Sequence, residues 1–279
     1  MQAVCSRRLA AARGMSDTHP GDVAWWTGWP PQTPETLARG FLLWEVDGRV
    51  AGWAIHDDDG LVVLVDPEHR GSVDAVAFED EVVTWAGVTA EGPLRVTELA
   101  RDEAACERWR GRGFAPAEGG YTTFVRPLDP TTDRAPDVWV GSVGEEDLLD
   151  RASVTHAAFG NARDLEPYAA DYATFRASPA SPGGWDLLVR TPDGAPAACC
   201  IAWPDPASGA GLFEPVATHP DHQRCGYGRA VMAAGLARLA DAGLRWAIVI
   251  TATRNEGAVA LYRSLGFVPD SAHLPFVRS

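Results

Sequence analysis

Lysine is absent from this chain of 279 residues, and all 24 of its basic side chains are arginine. No side chain can therefore form a Schiff base with a carbonyl compound or serve as the lysine of a phosphate-binding P-loop. Cysteine is scarce and odd in number, at positions 5, 106, 199, 200 and 225 with no CxxC pair. That pattern makes no disulfide framework and points to the reducing cytoplasm. Long apolar runs are missing as well, and no segment approaches the ~18 residues of a membrane span. The opening MQAVCSRRLAAARGM holds three arginines and no acid but lacks an apolar signal core. It reads as a frayed tail over residues 1–20, or as an upstream start before Met15. Positive charge is outweighed by 38 acidic residues, for a net charge of −14, so neither nucleic acid nor an anionic membrane is expected as a partner.

What is present is material for packed cores: 46% hydrophobic residues, including eleven Trp. The length suits two domains. An internal repeat supports that division, because Pro67 and Pro220, His69 and His222, Asp102 and Asn255, Ala105 and Ala258, Gly113 and Gly266, and Phe114 and Phe267 all stand 153 positions apart. Two copies, residues 1–132 and 133–279, are expected around a polar linker at Leu128–Asp137. The second copy alternates strands and helices: a strand at VWVGSV, helices at 145–159 and 167–177, strands in WDLLVRTPDGAPAACCIAW and GAGLFEPVATH, a helix over 228–242, a strand at WAIVITAT, a helix at 255–266 and final strands at FVP and HLPFVRS. This is an α/β unit. The first copy lacks room for the first strand, so it should lean on its neighbour.

The loop Gln223-Arg224-Cys225-Gly226-Tyr227-Gly228 stands where a strand ends and a helix starts. A helix amino end offers free N–H groups and partial positive charge, and glycine lets an anion approach the backbone. The third glycine of the dinucleotide fingerprint is missing, since position 231 is Val. The loop alone leaves a phosphate cradle and an ordinary helix start both open. Its His219, His222 and Cys225 are metal-ligand types without a fourth partner, so no metal is expected. Cys199 and Cys200 read as small packing residues.

Followed by Asn255, Ala258, Tyr262 and Gly266-Phe267, this loop resembles the GNAT acetyltransferase superfamily, with its Gln/Arg-x-x-Gly-x-Gly/Ala and N…A…LY…GF motifs. The resemblance implies two tandem GNAT-like domains, each a mixed, mostly antiparallel sheet flanked by helices with splayed fourth and fifth strands. It further implies acyl transfer from acetyl-CoA to a small primary amine within a ternary complex. Val216, Ala217 and Thr218 would pair with the pantetheine arm, the stretch Gln223, Arg224, Cys225, Gly226, Tyr227, Gly228 and Arg229 would hold the pyrophosphate, and Asn255 and Ala258 would flank the arm.

The chemistry suits these residue types. A leaving thiolate, whose conjugate acid has a pKa of about 8.5, benefits from a neutral acid such as a phenol, pKa about 10. Tyr262 is the candidate, against the alternative of a core tyrosine beside Leu261 and Leu265. An alkylammonium of pKa about 10.4 must lose a proton before attack. Glu214 is the preferred base, placed by strand alternation on the face of Val216 and Thr218, with His156, Asp164 and Glu166 as lesser candidates.

In the first copy Gly226 becomes Val73, Tyr227 becomes Asp74, Gly228 becomes Ala75 and Tyr262 becomes Trp109. A Cβ and a carboxylate oppose phosphate there, so the first copy is expected to be a degenerate, non-catalytic partner. This tandem layout resembles that of the mycothiol synthases, which keeps a cysteinyl amine open as acceptor. An acyl-CoA sensor without turnover is the alternative from another class. The oligomeric state stays open.

Overall fold

The computed structural model describes residues 1–12, 18–57, 60–89, 92–133 and 138–279. The possible start at Met15 and linker residues 134–137 lie outside them. In the first half, helices α1 (Gln2–Ala11), α2 (Pro20–Gly28) and α3 (Pro34–Gly40) precede strands β1 (Phe41–Val46), β2 (Arg49–Asp57) and β3 (Gly60–Val65), then α4 (Val73–Thr89), β4 (Leu94–Leu99), α5 (Glu103–Gly111), β5 (Ala115–Pro116) and β6 (Tyr121–Pro127). The second half runs β7 (Val140–Ser142), α6 (Leu148–Ala158), α7 (Leu165–Ala177), β8 (Asp186–Arg190), β9 (Pro196–Asp205), β10 (Ala210–Thr218), α8 (Tyr227–Asp241), β11 (Trp246–Ala252), α9 (Glu256–Ser264) and β12 (Val268–Arg278).

The repeat has a physical basis at its helix caps. Helices α5 and α9 are both nine residues long and stand 153 positions apart; Asp102 accepts a hydrogen bond from the Ala105 N–H, and Asn255 accepts one from the Ala258 N–H. Each cap satisfies one of the backbone donors that a helix start leaves free. Among the described residues the first copy has no counterpart of β7.

All the strands join one mixed sheet in the order β1-β2-β3-β4-β12-β6-β11-β10-β9-β8-β7, with β5 pairing off the path with β12. The two copies exchange their last strands. β6, from the first copy, lies antiparallel against β11, while β12, from the second, lies antiparallel against β4. The repeat boundary at residues 132/133 therefore does not separate two sheets. FVP and HLPFVRS, expected as two strands, form the single bulged strand β12, whose register slips between Pro269 and Ser271.

Helices cover both faces. In the second half α8 and α9 close a core around Phe213, Val231, Leu239, Phe267 and Phe124 of β6, and α2, α6 and α7 cover the other face with Trp25, Trp29, Tyr168, Tyr172 and Phe175. A buried ion pair braces that layer: Arg151 on α6 donates to Asp186 at 2.8 Å, and the Tyr172 hydroxyl also donates to Asp186. Burial opposes the charge of Arg151, but the Asp186 carboxylate more than offsets this and holds it protonated.

The expected frayed tail is a correction. Residues 2–11 form α1, which buries Val4, Cys5 and Leu9 completely, because its apolar side chains cover Trp53, Ile55 and Leu64 of the first-copy sheet. α2 begins with a capping box in which the His19 ring accepts from the Gly21 N–H at 2.9 Å and Asp22 accepts from the His19 N–H at 2.7 Å. No helix among the described residues is long and apolar enough to cross a membrane.

Candidate active site

The site opens where the sheet parts. β10 runs parallel to β11 from the Ala210–Trp246 pair to the Phe213–Val249 pair, and beyond it the two strands diverge. On its other side β10 slips register against β9: Phe213 lies opposite Ala202 and Val216 opposite Cys200, so Glu214 and Pro215 share Ile201. This is a β-bulge, and bulges break the alternation of faces. The alternation that placed Glu214 with Val216 and Thr218 fails for that reason. Phe213 and Val216 pack against the same core although three positions apart, while Ala217 packs on the α6 side.

Glu214 lies at the bulge itself. Its carbonyl accepts a hydrogen bond from the Trp203 indole N–H at 2.6 Å, and its carboxyl has no hydrogen-bond partner among the described residues. Part of the residue stays open to the cleft, yet burial of the carboxyl, aided by the charge of Asp22, pushes its pKa up to about 8. Tyr262, on α9, is buried at 5% exposure with its ring 5.9 Å from that of Phe124 and 6.1 Å from that of Phe267. Burial, then the charges of Glu214 and Cys200, push its phenol well above the usual range. It is a neutral proton donor that stands in the field of Glu214.

The glycine loop is shaped to leave its N–H groups open. Arg224 and Gly226 adopt positive φ of 60° and 89°, a region costly for side chains with a Cβ. A Cβ added to Gly226 would point into open space, whereas one at Gly228 would come within 2.7 Å of the Thr218 hydroxyl. The N–H groups of residues 224–229 find no acceptor among the described residues. Together with the start of α8 they form a positive, concave end suited to a diphosphate. Coenzyme A fits this cradle: residues 223–229 could hold its phosphates, and the parted edge of β10 could hold its arm.

The equivalent groove of the first copy is filled from within. β3 and β4 pair only at Leu61–Val96 and then part in the same way. The Arg8 guanidinium of α1 enters that gap and donates to the Val65 carbonyl at 2.9 Å. Arg70 pairs with Asp102 across the loop, and the Ser72 hydroxyl accepts from the Ala75 N–H at 3.1 Å, capping α4 where α8 stays open.

The remaining expected residues divide. Val216, Ala217 and Thr218 line the free end of β10. Asn255 and Ala258 are bound to each other as the cap of α9, at 3.2 Å. His156 bonds to the Arg163 carbonyl at 2.7 Å, and His156, Asp164 and Glu166 make no hydrogen bond or ion pair with Glu214 among the described residues. Sequence reasoning missed Asp22, Trp203 and Phe124. For Asp22 the available signal was His-Pro-Gly-Asp ahead of an apolar run, a helix start with proline at its first position. No cluster suited to a metal occurs among the described residues.

Comparison with known proteins agrees with this geometry. Residues 154–267 match the acetyltransferase (GNAT) family model. A mycothiol acetyltransferase from Nocardiopsis dassonvillei is 43% identical over 266 residues, covering 79% of this chain and 76% of that protein. Another from Cellulomonas flavigena is 47% identical over 66 residues, 23% of this chain and 19% of its own. Among solved structures, a tandem GNAT protein from the clavulanic acid biosynthesis pathway superposes with TM-score 0.66 at 18% identity, covering 99% of this chain and 93% of its own. A GCN5-related N-acetyltransferase from Sphaerobacter thermophilus gives 0.64 at 18%, covering 99% and 91%.

Proposed function

The chain belongs to the GNAT acetyltransferase family, and from that premise we propose that its second half transfers the acetyl group of acetyl-CoA directly to a primary amine. The observation that carries this reading is the open N–H cradle of residues 224–229 beside a parted strand edge, with Glu214 and Tyr262 close enough to feel each other's charge.

The thioester supplies an activated acyl carbon. Glu214, once ionised, takes a proton from the incoming ammonium, so an N–H bond breaks and a carboxyl O–H forms. The freed amine nitrogen bonds to the acyl carbon as its bond to sulfur breaks, and Tyr262 gives its phenolic proton to the departing thiolate. Both groups sit in a water-poor pocket, where such transfers are not diverted to solvent. The N–H groups of residues 224–229 hold the donor's diphosphate and so fix the distance between the reacting atoms.

A cysteinyl amine of the mycothiol type is the acceptor favoured by the 43% identity to a mycothiol acetyltransferase over most of both chains. Coenzyme A release measured by thiol detection, with acetyl-CoA and a panel that sets cysteinyl amines beside simple alkylamines, tests the reading. Release with amine and its loss in Tyr262→Phe are expected. Failure of both acetyl-CoA and coenzyme A to raise the melting temperature would overturn it, because a ligand of the folded state must stabilise that state.

A further inference from the structure

The residues ahead of the first copy do more than cover its sheet, since α2 reaches the second copy and ends beside Glu214. Its entry is pinned at three points. The His19 ring nitrogen Nε2 bonds to the Ala210 carbonyl at the start of β10, at 3.3 Å. Gly21 lies so close to Trp203 that an added Cβ would come within 2.5 Å of the indole, and that same indole donates to the Glu214 carbonyl at 2.6 Å. Two turns along, Trp25 stacks on Trp29 at 5.6 Å and meets Phe175 edge-on at 5.2 Å, while Trp29 meets Tyr168 edge-on at 5.0 Å. The far end of the segment is equally fixed, by Arg8 on Val65 and by Arg7 paired with Asp66.

Asp22 is thereby held in one place. It is 5% exposed, and its Oδ2 accepts the His19 N–H. We propose that Asp22 is a positioning residue of the transfer, a carboxylate brought by the amino-terminal segment against Glu214 that sets the pH range in which Glu214 can take the acceptor's proton. This rests on the reading of Glu214 as the base. Two carboxylates in a poorly solvated site repel when both are ionised, so the second retains its proton to higher pH. The other titratable groups around Glu214 are Tyr262 of α9 and Cys200 of β9, both raised by burial and therefore neutral at neutral pH. The nearest cation of α6, Arg151, is committed to Asp186. Asp22 is thus the charged neighbour, in accord with its part in raising Glu214. Its second effect is on choice of acceptor, because a pair of carboxyls that carries negative charge favours an ammonium over a neutral nucleophile.

Full-length protein carrying 13C-carboxyl glutamate, titrated by NMR, tests this, with the Glu214 resonance identified by its loss in Glu214→Gln. Asp22→Asn keeps an oxygen for the His19 N–H but removes the charge, and Asp22→Ser does the same should the amide variant not fold. The Glu214 midpoint is expected to fall by about 1 unit or more, the effect of removing a charge a few Å away, and to be restored in Asp22→Glu. The pH profile of kcat/KM should move acidward with it, a readout that loss of a helix cap alone does not shift. A midpoint unmoved in Asp22→Asn, beside a Glu214→Gln variant that has lost activity, overturns this assignment alone. Undiminished kcat/KM in Glu214→Gln overturns the base reading and this assignment with it.

Discussion

Replacing Gly226 with valine copies the residue that the first copy carries at the equivalent position, Val73, and separates two effects of one glycine. The first is conformational. Gly226 has φ of 89°, where a β-branched residue is a genuine outlier costing about 1–3 kcal/mol. For a chain of this size each kcal/mol lowers the melting temperature by about 2–4 °C, so a fall of several degrees is expected. No clash adds to it, because a Cβ there meets no protein atom within 4 Å. The second effect is on the ligand, since the empty space ahead of that Cβ is the space the cradle offers to phosphate. Displacing a diphosphate from two of its N–H donors, at about 1.5–3 kcal/mol for each bond to a charged group, removes about 3–6 kcal/mol, or more than about a hundredfold in affinity. Titration calorimetry with coenzyme A gives the affinity, and a thermal melt without ligand gives the stability. A folded variant with an unchanged dissociation constant refutes the cradle. The reciprocal change, Val73→Gly, should create no site, because the Ser72 hydroxyl, the Arg70–Asp102 pair and Arg8 still fill the first groove.

Tyr262→Phe should lower kcat by about 10²–10⁴-fold, the usual worth of a general acid, with little change in melting temperature, because the phenol makes no hydrogen bond among the described residues; an unchanged kcat removes the residue from the chemistry. Activity should rise with pH through about 8, where Glu214 ionises, and a pH-rate profile lacking that limb contradicts the base assignment. Stability runs the other way. A carboxyl whose folded pKa lies above its unfolded value favours the fold at low pH and loses that contribution as pH climbs from about 4.5 to about 8, so Glu214→Gln should flatten melting temperature across this window. Arg151→Ala strands Asp186 in the core and should cost about 3–5 kcal/mol, measured by urea unfolding.

Much of this was legible in the sequence, and for identifiable reasons. The repeat shows because its anchors are backbone devices, helix caps and positive-φ glycines, that tolerate few substitutes. The Gly226 loop and the Asn255 cap are visible for the same reason. Glu214 was legible as a carboxyl on the right strand but not in its orientation, because the bulge opposite Ile201 depends on pairing with β9 and leaves no local mark beyond Pro215. The strand exchange was hidden because β6 and β12 both carry Phe-Val-Arg, at 124–126 and 276–278, so either strand suits either slot. α2 was missed because its capping box uses a histidine ring in place of the usual short oxygen side chain.

The exchange explains how a copy whose own groove is filled can still matter to catalysis. Phe124 enters the core of the second half from β6 and packs on Tyr262, while Phe276 enters the core of the first half from β12. Each core therefore contains an aromatic ring that the other copy supplies, and neither can be removed without leaving a cavity the size of a phenylalanine, at about 3–5 kcal/mol. Loss of phosphate binding in the first copy costs the protein no packing, because Arg8, the Arg70–Asp102 pair and the Ser72 cap satisfy the same strand edge and helix start that a ligand would satisfy. Loss of the copy itself would take away β6 from behind Tyr262 and α2 from beside Glu214. The first half is thus free to change at its groove and bound to persist at its strand and its amino-terminal helix, which is where its residues touch the second half.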